Sequence, residues 1–172
     1  IAQKPPQRTY LFPGAARYAR RMNVYHAFAL GLDPARILQA QGLTPDPWQR
    51  ELLHSRAPCL LLNCSRQSGK STTVAALALH RMLFTPGALV LLVAPSERQS
   101  KELFRKVVAG YRALGRPLAT RHANQHTLEL ENRSRLVALP GREDTVRSFS
   151  GVGLVILDEA ARVPDDLYRA VR

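Results

Sequence analysis

The chain has 172 residues, 45% of them apolar, which is enough for one buried core and too apolar for a disordered segment. It carries 25 Lys and Arg against 13 Asp and Glu, a formal charge of +12 that favours polyanionic partners, nucleic acid first among them. No apolar stretch reaches the roughly 18 residues of a membrane-spanning helix, and the N-terminus lacks a signal-peptide pattern, so a soluble, cytoplasmic protein with no membrane partner is expected.

Charge is unevenly spread. Lys4, Arg8, Arg17, Arg20 and Arg21 all precede Asp33, the first acidic residue. Residues 1–43 are therefore expected to form a basic, mainly helical extension suited to a phosphate backbone, ahead of an α/β domain over 44–172. Residues 1–13 hold three prolines. From Gly14 to Leu30, the residues Tyr18, Met22, Tyr25, Phe28 and Ala29 recur at helical spacing. Asp33-Pro34 starts a second helix that stops at Gln41-Gly42, and Asp46-Pro47 starts a third, which carries Trp48 and Gln49.

From Pro58 the texture becomes alternating strand and helix. The run CLLLNC, residues 59–64, predicts a strand buried on both sheet faces, with Cys59 and Cys64 as buried free thiols. A helix is expected from Lys70 to Phe84, a buried strand in ALVLLVAP, and a helix from the Ser96 cap to about Leu114. Residues 126–141 predict a hairpin turning at Glu131–Ser134; GLVILD, residues 153–158, predicts another buried strand, and Pro164 opens a last helix. This order predicts an α/β fold with a mostly parallel central sheet flanked by helices.

Two stretches carry chemistry. In LLNCSRQSGKST, the residues Gly69, Lys70 and Ser71 match the second half of the phosphate-loop pattern G-x-x-x-x-G-K-[ST], while Cys64 replaces the first glycine. A loop of Ser65, Arg66, Gln67, Ser68 and Gly69 opening a helix at Lys70 turns partial positive charge toward a phosphate. Lys70 then suits the β and γ phosphates, Ser71 suits Mg²⁺, and Thr72 lies in the first helical turn. In LVILDEAA, Asp158 ends a strand at the carboxyl edge of the sheet, where it would complete a magnesium shell; Glu159 suits a base acting on an attacking water. Together the stretches predict nucleotide hydrolysis, with Lys70 and Glu159 in catalysis.

The sequence resembles the large terminase subunit, the DNA-packaging ATPase of tailed bacteriophages and prophages, over about residues 44–172. The resemblance rests on SRQSGKST, the upstream DPWQRELL, VLLVAPSERQSKELFRKV and VRSFSGVGLVILDEAARVPDDLY. It implies a P-loop NTPase of the additional-strand, catalytic-glutamate type, with Gln49 reading the adenine edge. It also implies that Arg66 contacts the γ-phosphate in cis and that Arg147 is a candidate arginine finger for a neighbouring subunit, with Arg142 as rival; a finger changes rate by about 10³–10⁵. The implied partners are double-stranded DNA, further copies in a homo-oligomeric ring on a portal, and a small terminase subunit. The family's coupling motif and nuclease domain would lie beyond Arg172, so no nuclease residue is assigned and the chain is read as an ATPase portion.

Two alternatives stay open. A superfamily 2 helicase also pairs an upstream glutamine with Asp-Glu, although such helicases keep earlier loop glycines and follow the acids with Ala-His or Ala-Asp rather than Ala160-Ala161. A non-catalytic nucleic-acid-binding module would account for the charge alone. His122 and His126 suit a metal only on a helix, and Trp48 serves as a base-stacking group or a packing anchor. The Asn63 and Asn132 sequons carry no meaning in a cytoplasmic protein.

Overall fold

The computed structural model describes residues 22–141, 146 and 148–171. Three short helices come first: α1 (Val24–Leu32), α2 (Arg36–Gln39) and α3 (Pro47–His54). The Asn23 side chain caps α1 through the Tyr25 N–H, and Asp33 accepts from the Ala35 N–H ahead of α2. Then follow α4 (Lys70–Phe84), β1 (Leu89–Ala94), α5 (Glu97–Ala113), β2 (Thr120–Ala123), β3 (Thr127–Leu130), β4 (Arg135–Pro140), β5 (Val152–Leu157), a 3₁₀ turn at Ala160–Arg162, and α6 (Asp165–Val171).

The five strands form one sheet in the order β2-β3-β4-β1-β5. β1 pairs in parallel with both β4 and β5, and the β2-β3-β4 part is antiparallel. Every residue of β1 is buried, as a central strand covered on both faces requires. Its side chains alternate: Val90 and Leu92 enter the core beneath α4 and α5, while Leu89, Leu91 and Val93 meet Val137, Leu139, Val146 and Leu167 of α6 on the other face. The first cluster is much the larger, because α4 and α5 pack side by side and α2 packs on both. Gly110 permits that approach: a Cβ there would stand 3.3 Å from Leu79 and 3.4 Å from Ile37.

The hairpin turn differs from a solvated polar loop. Asn132 is buried, its Nδ2 donates to the Met82 carbonyl at 2.7 Å, and its Oδ1 accepts from the Ser134 hydroxyl and N–H. It thereby satisfies a carbonyl that the C-terminal turn of α4 leaves without a partner.

Three expectations are corrected. β5 lies at the edge of the sheet beside β1 and is not a fully buried strand: Ile156 is its one buried residue and Gly153 is exposed. Residues 59–64 form no strand: no ladder joins them to the sheet among the described residues, Leu61 is 88% exposed and Leu60 43%. An apolar run becomes a buried strand only when a neighbour supplies both backbone partners and side-chain cover, and none flanks this one. For the same reason Cys59 is an exposed thiol and Cys64 a half-buried one, rather than both being buried. β2, an exposed four-residue edge strand, adds to the hairpin without any alternating apolar signal. The helix expected over 14–30 is present from Val24; residues 1–21, including the basic cluster from Lys4 to Arg21, lie outside the described residues.

Candidate nucleotide-binding site

The site begins at α3. Asp46 and Gln49 form a reciprocal capping box, in which the Gln49 Oε1 accepts the Asp46 N–H at 2.9 Å. Gln49 is only 8% exposed, and its Nε2 faces the loop at Gly69. Trp48, beside it, is half-buried.

The loop 65–69 enters α4 through two left-handed residues, Gln67 at φ 62° and Gly69 at φ 83°. For Gln67 such a conformation costs about 1–3 kcal/mol, a strain that typically accumulates at ligand-contacting loops. The Thr73 hydroxyl donates to the Gly69 carbonyl at 3.0 Å, which ties the loop to the second turn of α4. Ser68 Oγ is buried with no hydrogen-bond partner among the described residues. An orphaned hydroxyl in a loop at a helix N-terminus fits a loop built to receive an anion. Ser65 and Arg66 are exposed, and Lys70, Ser71 and Thr72 are half-buried. Neither Arg66 nor Lys70 has an ion-pair partner among the described residues, so both cations are free for a ligand.

Helix α4 is steadied from behind. His80 lies against Phe84 with ring centroids 4.7 Å apart, and its Nε2 is 3.3 Å from the Gly31 carbonyl at the end of α1. Burial holds the His80 pKa below its ordinary value, although the backbone groups of Gly31 and Leu30 pull the other way.

The acidic residues reach the same edge of the sheet. Asp158 follows β5, its N–H donates to the Val93 carbonyl at 2.8 Å, and its Oδ1 accepts the Glu159 N–H at 3.0 Å. Glu159 sits at φ 50°, and its carboxylate is exposed 3.4 Å from Arg162. Asp158 lines a cleft, and Glu159 is not among the residues that line it. Ser71 and Asp158 line one cavity of about 550 Å³ between the start of α4, the end of β5 and α5. A hydroxyl and a carboxylate sharing a cleft suit a hard divalent cation with part of its shell left to water and phosphate.

Sequence reasoning named Ser71 and Asp158 but missed the third wall of the cleft. Ser96, which caps α5, and Arg98, Gln99, Glu102 and Lys106 of α5 line it too; their spacing puts them on one side of the helix, but nothing in the sequence says what that side faces. His122 and His126 lie on the β2–β3 hairpin, where His122 stands near Asn124 and His126 near Glu97. No group of three or more His, Cys, Asp or Glu residues able to hold a metal occurs among the described residues. Arg147 and Arg142 lie outside the described residues.

These features define an α/β domain in which a Gly-Lys-Ser loop opens a helix beside an acidic strand end at the carboxyl edge of a mostly parallel sheet. The family model for the large terminase subunit, T4-like virus type, N-terminal region, matches residues 61–170, and the chain belongs to that family. No curated protein shows significant sequence similarity to it. The large terminase ATPase domain of Thermus phage P74-26 superposes with a TM-score of 0.64 at 24% identity, over 80% of this chain and 62% of that one. An arginine-to-alanine mutant of the same domain gives 0.65, with the same identity and coverage. At that identity the likeness establishes the fold, and the chain spans less than two thirds of the domain it matches. No helix among the described residues is long and apolar enough to cross a membrane.

Proposed function

We propose that the chain is the ATP-hydrolysing motor portion of a terminase large subunit, which couples ATP hydrolysis to movement of double-stranded DNA into a procapsid. The observation that carries this reading is the shared cleft of Ser71 and Asp158, set against a Gly-Lys loop whose Ser68 hydroxyl has no partner among the described residues. The residues present fit Mg-ATP. Loop residues 65–69 and the first turn of α4, through Thr72, would cradle the phosphates, with Lys70 and Arg66 meeting their charge. Ser71 and Asp158 would hold Mg²⁺, which when bound neutralises charge on the phosphate oxygens.

Glu159 would take the proton of the attacking water as its oxygen bonds to the γ-phosphorus. The bond from phosphorus to the β–γ bridging oxygen breaks with its electron pair, giving ADP and inorganic phosphate. Gln49 keeps one amide hydrogen-bonding face for the adenine after serving the α3 cap. Arg147 remains the proposed trans-acting arginine, with Arg142 the alternative. Family membership supports DNA, a homo-oligomeric ring on a portal and a small subunit as partners in the host cytoplasm, and the charge of +12 supports a DNA contact.

Steady-state ATP turnover with and without duplex DNA tests this. Turnover that rises with DNA and disappears in Lys70→Ala is the expected result; ATP binding that Lys70→Ala leaves intact would sink the assignment.

A further inference from the structure

The cleft that holds Ser71 and Asp158 continues along α5, whose Arg98, Gln99, Glu102 and Lys106 form its facing wall. The charges on this helix are disposed unequally. Lys101 and Arg105, which do not line the cleft, are neutralised by Glu97 at 2.7 Å and by Glu102. Arg98 and Lys106, which do line it, have no ion-pair or hydrogen-bond partner among the described residues. Gln99 accepts the Ser96 hydroxyl on its carbonyl oxygen at 2.8 Å, which leaves both amide hydrogens available as donors. The α5 wall thus offers two cations and an amide donor, and its single carboxylate is already paired with Arg105.

We propose that Arg98 and Lys106 receive the inorganic phosphate after hydrolysis and line its way out. This rests on the ATPase reading of the same site. A phosphate anion needs donors and positive charge, which the Arg98 guanidinium fork beside the Gln99 amide offers at one end of the wall and the Lys106 ammonium offers at the other. Eight residues of helix separate the two cations by about 12 Å along the axis, so they form two successive stations rather than one grip. The cavity, about 550 Å³, leaves room for the anion to move with water between them.

The test uses the 172-residue protein with Mg-ADP bound, titrated with inorganic phosphate against sodium chloride at matched ionic strength, with the thermal midpoint as readout. Phosphate should raise the midpoint beyond chloride. Arg98→Ala with Lys106→Ala should weaken phosphate binding about tenfold or more, the loss expected for charge-assisted hydrogen bonds, while the shift caused by ADP stays as in wild type. Arg98→Lys with Lys106→Arg should keep most of the response. A phosphate response that survives the double alanine change overturns the proposal, as does a wild-type response no larger than that to chloride. A double variant with reduced duplex DNA affinity and an intact phosphate response also overturns it, and would assign the two cations to DNA. If ADP shifts neither wild type nor Lys70→Ala, the ATPase reading fails by itself, and the phosphate titration without nucleotide still decides whether the α5 wall binds the anion.

Discussion

Gln49 stands directly behind Gly69: its Nε2 lies 2.7 Å from the point where a Cβ on residue 69 would be, while its Oε1 holds the Asp46 N–H at 2.9 Å. One buried amide therefore closes the start of α3 and backs the loop glycine. Gly69→Ala would meet two obstacles. A left-handed backbone at φ 83° costs a residue with a side chain about 1–2 kcal/mol, and the contact with Gln49 adds overpacking of about 1–3 kcal/mol. Chemical denaturation should show a loss of at least about 2 kcal/mol. Adding Gln49→Ala should restore the overpacking part and leave the backbone part, so a double-mutant cycle should give a coupling of about 1 kcal/mol. Strict additivity would mean that the amide gives way freely.

Glu159 is set apart from Asp158 by its left-handed backbone, and Arg162 is its only ionic neighbour among the described residues. Glu159→Gln keeps the shape and removes the ability to take a proton. Nucleotide affinity should stay within about twofold, while turnover falls by about 10²–10⁴, the usual range for a positioned base. A parallel fall in affinity, measured by nucleotide titration, would show that Glu159 binds rather than acts as a base.

Leu61 and Leu92 look alike in sequence, each within an apolar run, yet one is 88% exposed and the other fully buried. Leu92→Ala should cost about 2–5 kcal/mol, whereas Leu61→Ser should change stability by less than about 0.5 kcal/mol. Urea unfolding of the two variants separates these expectations. Equal losses would place residues 59–64 in a packed strand after all.

That pair also shows where sequence reasoning stopped. Helices with caps were legible, because Asp46-Pro47 and Ser96 act on the next few residues alone. The strand that leads to Asp158 was legible in position from its apolar run, but its place at the sheet edge, with Ile156 its one buried residue, was not. Whether an apolar run finds a sheet neighbour depends on distant chain, so 59–64 read as a strand and the polar β2 did not. The loop and acidic positions were visible as motifs. The α5 wall was not, since Arg98, Gln99 and Lys106 gain meaning only once α5 lies across from Ser71 and Asp158. The hairpin turn at Asn132 was legible but its burial was not, because its partner carbonyls on α4 lie some fifty residues earlier.

His80 gives the protein a stability that depends on mild acid. Burial, offset in part by the carbonyls of Gly31 and Leu30, keeps its folded pKa below the ordinary 6.5. In the folded state the ring stays neutral to a lower pH than in the unfolded chain. As pH falls through 6.5 the unfolded state binds the proton first, and stability is lost until pH passes the folded pKa, below which both states are protonated. The contribution is therefore complete above the unfolded value and absent below the folded one. Glu97 acts in a separate, more acidic window: the hydrogen bond and charge of Lys101 lower its pKa beneath 4.5, so its contribution fades only as pH falls below that value. Urea unfolding between pH 7.5 and about 5 should show stability rising with pH in wild type. His80→Gln, which keeps a donor for the Gly31 carbonyl but does not titrate, should flatten that rise. An unchanged slope in His80→Gln would locate the titrating group elsewhere.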